Sequence, residues 1–224
     1  MGVRMIIEAL VSALSLAQAG DVEAMTASAQ QVEMRLYRED GENRWSAGPW
    51  GGTWSGRGTA MNILNIRRRE TARMELGVAG PGFDSPLTLL CAGGQSELEL
   101  FWITWDRDDL AYTCDGDDGA RFELALQNSG GLFGRARNER AGELRYGGRT
   151  VRFETQRLSG VAFPSGRVPG YVIRDEAGNA IAGMDYRVMR PLLYLPAEDH
   201  PDREAALVAA VTLATFFDPA NMGN

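Results

Sequence analysis

The C-terminal segment PDREAALVAAVTLATFFDP, residues 201–219, predicts a helix that has no polar face. Pro201 and Pro219 favour a helix start and a helix end, and residues 205–217 between them contain no charged side chain. A helix that is apolar on every side must be enclosed by protein. The apolar run is shorter than the roughly 20 residues that a membrane span needs, so a membrane anchor is the less favoured alternative.

The chain before this helix shows the alternation of apolar and polar residues that is typical of β-strands. Residues 143–154 predict a hairpin that turns at Gly147 and Gly148, a residue pair that suits tight two-residue turns. Residues 170–186 repeat the same scheme around a second turn rich in Asp, Gly and Asn. Both segments predict neighbouring antiparallel strands.

A third strand pair is predicted in residues 86–105, joined at Gly93 and Gly94. Further strands are predicted in residues 34–40, 62–68, 110–114 and 120–126. Since no long helical pattern separates these strands, the sheet is expected to be mostly antiparallel. We therefore predict a single, mainly β domain over residues 20–224, an antiparallel barrel or sandwich with one buried hydrophobic C-terminal helix.

Two segments of the C-terminal half resemble a known group of proteins. Residues 190–219 resemble the last strand and buried hydrophobic helix of the tubby-like superfamily, which includes LURP-one-related and phospholipid scramblase-like proteins. Residues 170–186 are similar to the meander strands of that group. The resemblance covers residues 120–219 and carries over no functional residue. It implies an intracellular protein, and it implies contact with membrane lipid because some members bind lipids.

The N-terminal residues 1–19 resemble a secretory signal peptide. An apolar run over residues 6–17 follows an early arginine, and Ala17 and Ala19 form an A-x-A cleavage site. Glu8 interrupts the apolar run and leaves open the alternative, an amphipathic helix of the mature chain. We favour export, so the expected location is periplasmic or secreted, and cytoplasmic is the alternative.

The two cysteines, Cys91 and Cys114, each lie in a predicted strand. In an oxidising compartment they are expected to form a disulfide that stabilises the fold by about 3 kcal/mol. In the cytoplasm they would be two small buried apolar residues. The disulfide is thus a prediction that depends on export.

The charged residues exclude several classes of function. All 23 basic residues are arginine, so the lysine that a P-loop or Schiff-base chemistry requires is missing. A net charge of −7 disfavours general nucleic-acid binding. Arginines collect in residues 66–73 and 135–157, where interleaved acidic residues favour a solvated strand face over a polyanion site.

Few side chains suit catalysis or metal binding. His200 is the only histidine, and its place before a helix favours a capping or loop role, so we assign no catalytic residue, no cofactor and no metal site. The acidic segment 105–119 has oxygen ligands that suit calcium, but its Asp and Gly residues are also those that tight turns prefer. We favour the turn interpretation.

Three of the five tryptophans, Trp45, Trp50 and Trp54, lie among glycines in residues 44–58. We interpret this segment as a glycine-rich approach to the first long strand, where indoles either close the end of a barrel or bind a ligand. The structural role is favoured, and the same three residues are the candidate ligand-binding site. Exposed indoles commonly stack against sugar rings.

The expected function is that of a non-enzymatic cell-envelope β-domain that binds an unidentified ligand or protein partner. One alternative is an intracellular tubby-like module that contacts lipid or protein at the membrane surface. The other is a glycan-binding protein or a carboxylate-dependent glycan hydrolase. No nucleic-acid partner and no transmembrane span in the mature chain are expected.

Overall fold

The computed structural model describes residues 20–61, 69–95, 110–127, 139–158, 169–186 and 190–216. Residues 20–28 are helical and are here called α1. Twelve strands and a second helix follow it: β1 Gln30–Glu39, β2 Glu42–Ala47, β3 Trp50–Met61, β4 Arg69–Val78, β5 Leu87–Gln95, β6 Leu110–Gly116, β7 Arg121–Gln127, β8 Glu139–Tyr146, β9 Arg149–Thr155, β10 Gly170–Arg174, β11 Ala180–Asp185, β12 Leu192–Leu195 and α2 Arg203–Thr215.

The strands form one closed antiparallel barrel in which each strand pairs with its neighbours in the chain. The first and last strands close it, from Gln30 opposite Leu195 to Glu33 opposite Leu192. The predicted mainly β fold with a C-terminal helix is confirmed, and of the two predicted architectures the barrel is the one observed. The predicted signal segment 1–19, the strand predicted in 62–68, and residues 96–105 lie outside the described residues.

Helix α2 occupies the interior of the barrel. All of its residues except Glu204 are buried, and it packs against β4 and β8–β12. Inward-facing strand residues such as Leu144 and Phe153 belong to the same hydrophobic core as the helix. The predicted burial of the apolar segment is confirmed for residues 205–215, although the helix begins at Arg203 rather than in a turn that includes Pro201.

Both predicted hairpins are present. In β8 and β9, Leu144 lies opposite Val151, both fully buried, and Gly147 and Gly148 form the turn with positive φ angles of 58° and 74°. These angles are those that favour glycine, which explains the residue pair. Strands β10 and β11 form the second hairpin.

The turn predicted at Gly93 and Gly94 is wrong. Strand β5 runs through both glycines to Gln95 and pairs with β6, where Gly93 lies opposite Tyr112. A Cβ atom on Gly93 would lie 1.8 Å from the Tyr112 ring. Glycine is therefore required here because an aromatic ring packs against the strand, and no chain reversal is involved.

The predicted disulfide between Cys91 and Cys114 is present. The two residues lie directly opposite each other on β5 and β6, with a sulfur–sulfur distance of 2.00 Å. Both side chains face the barrel interior, where Cys91 is 6% and Cys114 is 1% exposed. The bridge therefore fastens two neighbouring strands from inside the core.

Helix α1 packs on the outer face of the barrel. Its Val22 and Met25 form a second hydrophobic cluster with Val172, Leu192 and Tyr194 of strands β10 and β12. Such a cluster covers apolar strand residues that would otherwise face water.

An ion pair joins Asp21 of α1 to the barrel. The Asp21 carboxylate accepts hydrogen bonds from Arg174 Nη1 at 2.7 Å and from the Ala180 backbone N–H at 2.9 Å. Arg174 also bonds Glu154 and the Gly178 carbonyl oxygen. Among the described helices, none has the length and apolar character needed to cross a membrane.

Candidate functional site

The three clustered tryptophans lie on a β-hairpin rather than on an approach to a strand. Trp45 belongs to β2, and Trp50 and Trp54 belong to β3. Gly48 and Pro49 form the two-residue turn between these strands, with Gly48 at a φ of 58°. The glycine-rich composition concealed this strand pair because glycine disfavours strands on its own account.

Trp45 is part of the core. It is 1% exposed, and its indole N–H donates to the Gly77 carbonyl oxygen on β4 at 2.9 Å. Gly52 makes this contact sterically feasible, since an added Cβ would lie 2.0 Å from the Gly77 oxygen and 3.0 Å from Trp45 Nε1. The glycine and the buried indole therefore require each other.

Trp50 is buried in a similar way at the end of the barrel where α2 begins. It is 6% exposed, and its indole N–H donates to the Pro81 carbonyl oxygen at 2.9 Å. Gly80, at a φ of 140°, brings the chain between β4 and β5 so close that an added Cβ would lie 2.7 Å from the Trp50 ring. The segment over residues 79–86 thus closes over the indole.

Arg203, the first residue of α2, completes this packing. Its guanidinium carbon lies 5.2 Å from the centre of the Trp50 ring, a distance that suits a cation–π contact. Its nitrogens donate to the Pro196 carbonyl oxygen and to Gln30 Oε1. These contacts satisfy the polar groups of a residue that is only 9% exposed. They also connect the start of α2 to the first residue of β1 and to the residue that follows β12.

Trp54 differs from the other two indoles. It lies opposite Leu76 and faces the core, but it is only partly buried. Its Nε1 atom is shielded from solvent and has no hydrogen-bond partner among the described residues. A buried indole N–H normally finds an acceptor, and Trp54 is the one of the three that has none among the described residues.

The end of the barrel that holds Trp50, here called the tryptophan end, is acidic. Its chain connections are residues 48–49, 79–86, 117–120, 147–148, 175–179 and 196–202, and none contains an arginine. Burial, followed by the carboxylates of Glu204, Asp118 and Asp84, raises the pKa of Tyr146 above its usual value. Such a surface disfavours polyanions and anionic membranes at this end.

His200 serves the helix start. Its Nδ1 atom accepts a hydrogen bond from the Asp202 backbone N–H at 3.1 Å, and its own carbonyl oxygen accepts one from the Arg203 N–H. The Asp202 side chain makes no capping hydrogen bond, although it lies 3.8 Å from Arg149. The histidine side chain thus satisfies a backbone donor at the helix N-terminus.

The described part of the acidic segment forms a tight turn between β6 and β7. The Gly116 N–H donates to the Ala120 carbonyl oxygen, and Gly119 takes a φ of 74°. Within the described residues, no group of three His, Cys, Asp or Glu side chains is arranged to hold a metal ion. The other acidic residues of this segment, Asp106, Asp108 and Asp109, lie outside those residues.

Several buried charged residues could not be anticipated from the sequence. Glu143 is 4% exposed on β8 and bonds Arg145, while Arg152 lies 4.0 Å from it. Arg140 and Asp185 are each 2% exposed. Only the opposite-charge neighbours on paired strands could have indicated Glu143, and they become visible only when the strand register is known.

Comparison with protein-family models, curated protein sequences and solved structures finds no match to this chain. The geometry therefore has to distinguish among the candidate functions by itself. Trp45 and Trp50 have both ring and N–H group engaged in the core, whereas Trp54 is only partly buried and its N–H group has no acceptor among the described residues. Of the three candidate ligand-binding residues, Trp54 is the one that is only partly buried.

Proposed function

We propose that this protein is an exported, disulfide-stabilised β-barrel that acts by binding and not by catalysis. The observation that carries the proposal is the bridge between Cys91 and Cys114 on paired strands inside the core. Disulfides form and persist in oxidising compartments and are rare in the cytoplasm of most organisms. Export through the segment 1–19, with cleavage after Ala19, is the route that accounts for the bridge.

The reactive side chains in the described residues support binding over catalysis. Both cysteine sulfurs are joined, so neither is a thiolate nucleophile. The single histidine uses Nδ1 to accept a backbone N–H at the start of α2. Helix α2 fills the barrel interior, so a partner binds on the outer wall or at a barrel end.

Cell fractionation with identification of the N-terminal peptide tests export. The proposal predicts that the protein from its native cells lies outside the cytoplasm and begins at Gly20. A chain that starts at Met1 and stays in the cytoplasmic fraction would sink it. Replacing Ala17 and Ala19 by Asp is the matched variant, since it should leave an unprocessed chain while the wild type is cleaved.

An intracellular tubby-like module is the second candidate. It is favoured by the closed barrel around a buried, mainly apolar C-terminal helix, which agrees with the resemblance of residues 190–219 to that group. This candidate predicts free thiols in native cells and flotation with phosphatidylserine vesicles but not with phosphatidylcholine vesicles. This candidate would be eliminated if the protein is exported, carries the disulfide and binds neither kind of vesicle.

Glycan binding is the third candidate, and Trp54 is the observation that favours it. Titration with soluble oligosaccharides should then quench tryptophan fluorescence, and Trp54→Phe should abolish the quenching. Trp45→Phe is the matched control, because the Trp45 indole is buried and already bonded to Gly77. Equal quenching in the wild type and in Trp54→Phe would remove this candidate.

A further inference from the structure

Strand β1 changes its pairing partner along its length: residues 30–33 pair with β12, and residues 34–39 pair with β2. Its pairs with β12 end at Glu33 opposite Leu192, and a last hydrogen bond joins the Met34 N–H to the Pro191 carbonyl oxygen at 2.9 Å. Residues 35–39 continue to pair with β2. On their other side, no residue that the structure describes pairs with them.

The backbone geometry shows which groups line this edge. The Met34 N–H points toward β12, and alternate residues of a strand direct their N–H and C=O groups to the same side. Leu36 and Arg38 therefore point these groups away from β2. The same alternation requires the N–H and C=O groups of Glu39 to point toward β2. This agrees with its position opposite Glu42 at the two-residue hairpin turn.

The side chains along this edge are open to solvent. Leu36 is 43% and Tyr37 is 44% exposed, and Arg35, Arg38 and Glu39 are exposed as well. Since successive side chains alternate between faces, Arg35, Tyr37 and Glu39 share the outer face of the barrel. Among the described residues this edge has no pairing partner, and a strand edge of that kind with exposed apolar residues is a template for pairing with another strand.

We propose that this edge pairs with the same edge of a second copy of the chain, antiparallel and with Tyr37 opposite Tyr37. In that register Leu36 and Arg38 of the two copies exchange N–H···O=C hydrogen bonds. Arg35 lies opposite Glu39 of the other copy, twice by symmetry, and the two tyrosine rings form the close, non-hydrogen-bonded pair. Residues 35–39 are thus self-complementary, which a two-fold contact between identical subunits requires.

The existing ion pairs leave these side chains available. Glu39 lies 3.2 Å from Arg44, and Arg35 lies 3.9 Å from Glu33, but the Arg35 and Glu39 side chains remain 68% and 53% exposed. Exposed pairs of this kind exchange partners at little cost. One strand pair buries less than the roughly 1,200 Å² of a stable interface, so the dimer should depend on protein concentration.

Sedimentation velocity of the full chain over a range of concentrations tests the proposal. The wild type should dimerise, and Arg35→Glu or Glu39→Arg should each weaken the dimer about tenfold, because each creates two like-charged cross-strand pairs. The double variant Arg35→Glu/Glu39→Arg should restore it. Glu176→Arg, at an exposed residue of the turn between β10 and β11, is the control for the change in net charge made by Glu39→Arg.

A backbone variant provides an independent test. Leu36→Pro removes an N–H group that points away from β2, so the barrel should fold with its usual circular dichroism while the dimer is lost. A wild type that stays monomeric at every concentration overturns the proposal. So does a dimer that survives Arg35→Glu, or one that the double variant fails to restore.

Discussion

Trp45 and Trp50 are only 1% and 6% exposed, and their indole N–H groups donate to the main-chain carbonyls of Gly77 and Pro81. On the outer wall of β7 and β8, the polar contacts instead join side chains to side chains, as between Arg121 and Glu123. There the arginine is 50% exposed. A buried donor that loses its acceptor bears the full desolvation penalty, whereas a solvated ion pair exchanges one partner for water. Substitutions in the barrel interior should therefore lower the free energy of unfolding more than substitutions on the outer wall.

The largest effect is expected at Gly52. Gly52→Ala places a Cβ 2.0 Å from the Gly77 carbonyl oxygen and forces β3 away from its neighbours, so the free energy of unfolding should fall by about 3 kcal/mol or more. Urea unfolding followed by circular dichroism measures it. Gly20→Ala is the control, since an added Cβ there meets nothing within 4 Å. Equal stability of the two variants would contradict the close packing at Gly52.

The disulfide is a covalent contact inside the barrel, so its loss should also have a large effect on stability. The double variant Cys91→Ala/Cys114→Ala should lower the free energy of unfolding by about 3 kcal/mol, because the unfolded chain is no longer constrained. Wild type unfolded with reductant should show a similar loss. If reductant changes the stability of the double variant as much as that of the wild type, the effect does not come from this bridge.

The two tryptophans of β3 provide a comparison within the interior. Trp50→Phe leaves the Pro81 carbonyl oxygen without its donor and should cost about 2 kcal/mol. Trp54→Phe removes no hydrogen bond among the described residues and should cost about 1 kcal/mol less. Thermal unfolding of both variants measures the difference. A larger loss for Trp54→Phe would show that its N–H group has an important acceptor.

On the outer wall, Arg121→Ala should cost less than about 1 kcal/mol. Its hydrogen bond to Glu123 raises the pKa of Arg121, so the pair is formed, but water screens much of its energy. The cost should shrink further in 1 M salt, which urea unfolding at two salt concentrations detects. A loss as large as that of Trp50→Phe would remove the distinction between the wall and the interior.

The smallest effect is expected at the turn between β10 and β11. Burial alone would raise the pKa of Asp175, but hydrogen bonds from the Asn179 side chain and from the backbone of Asn179, Ala177 and Gly178 outweigh it and lower the pKa below 3.8. A lowered folded-state pKa contributes stability that is present above pH 3.8 and lost as the pH falls through the folded value. The stability of Asp175→Ala should therefore fall less than that of wild type between pH 5 and pH 3.

The sequence was sufficient for elements whose signals are local. The turns at Gly147 and Gly148 need positive φ angles that glycine favours, and the alternation on either side of them fixes the inward residues. Helix α2 could be predicted because a segment apolar on all faces has few stable environments in water. We could also predict that strands enclose this helix, because the sequence pattern before it predicts mainly strands.

The sequence was insufficient where a residue's role depends on a distant neighbour. Gly93 indicates a turn in isolation, and only the register with β6 shows that it makes room for Tyr112. The acceptors of Trp45 and Trp50 lie about 30 residues away, so local composition carries no trace of them. Local composition likewise gives no sign that the Trp54 N–H group lacks an acceptor among the described residues.

The thiol state of the protein in its native cells tests the central claim most directly. Cells are quenched in acid, and the protein is unfolded, treated with an alkylating reagent with and without prior reduction, and weighed by intact mass spectrometry. The account predicts no alkyl adduct before reduction and one adduct on each of Cys91 and Cys114 after it. Two adducts without reductant would contradict it, since both thiols would then be free in the native compartment.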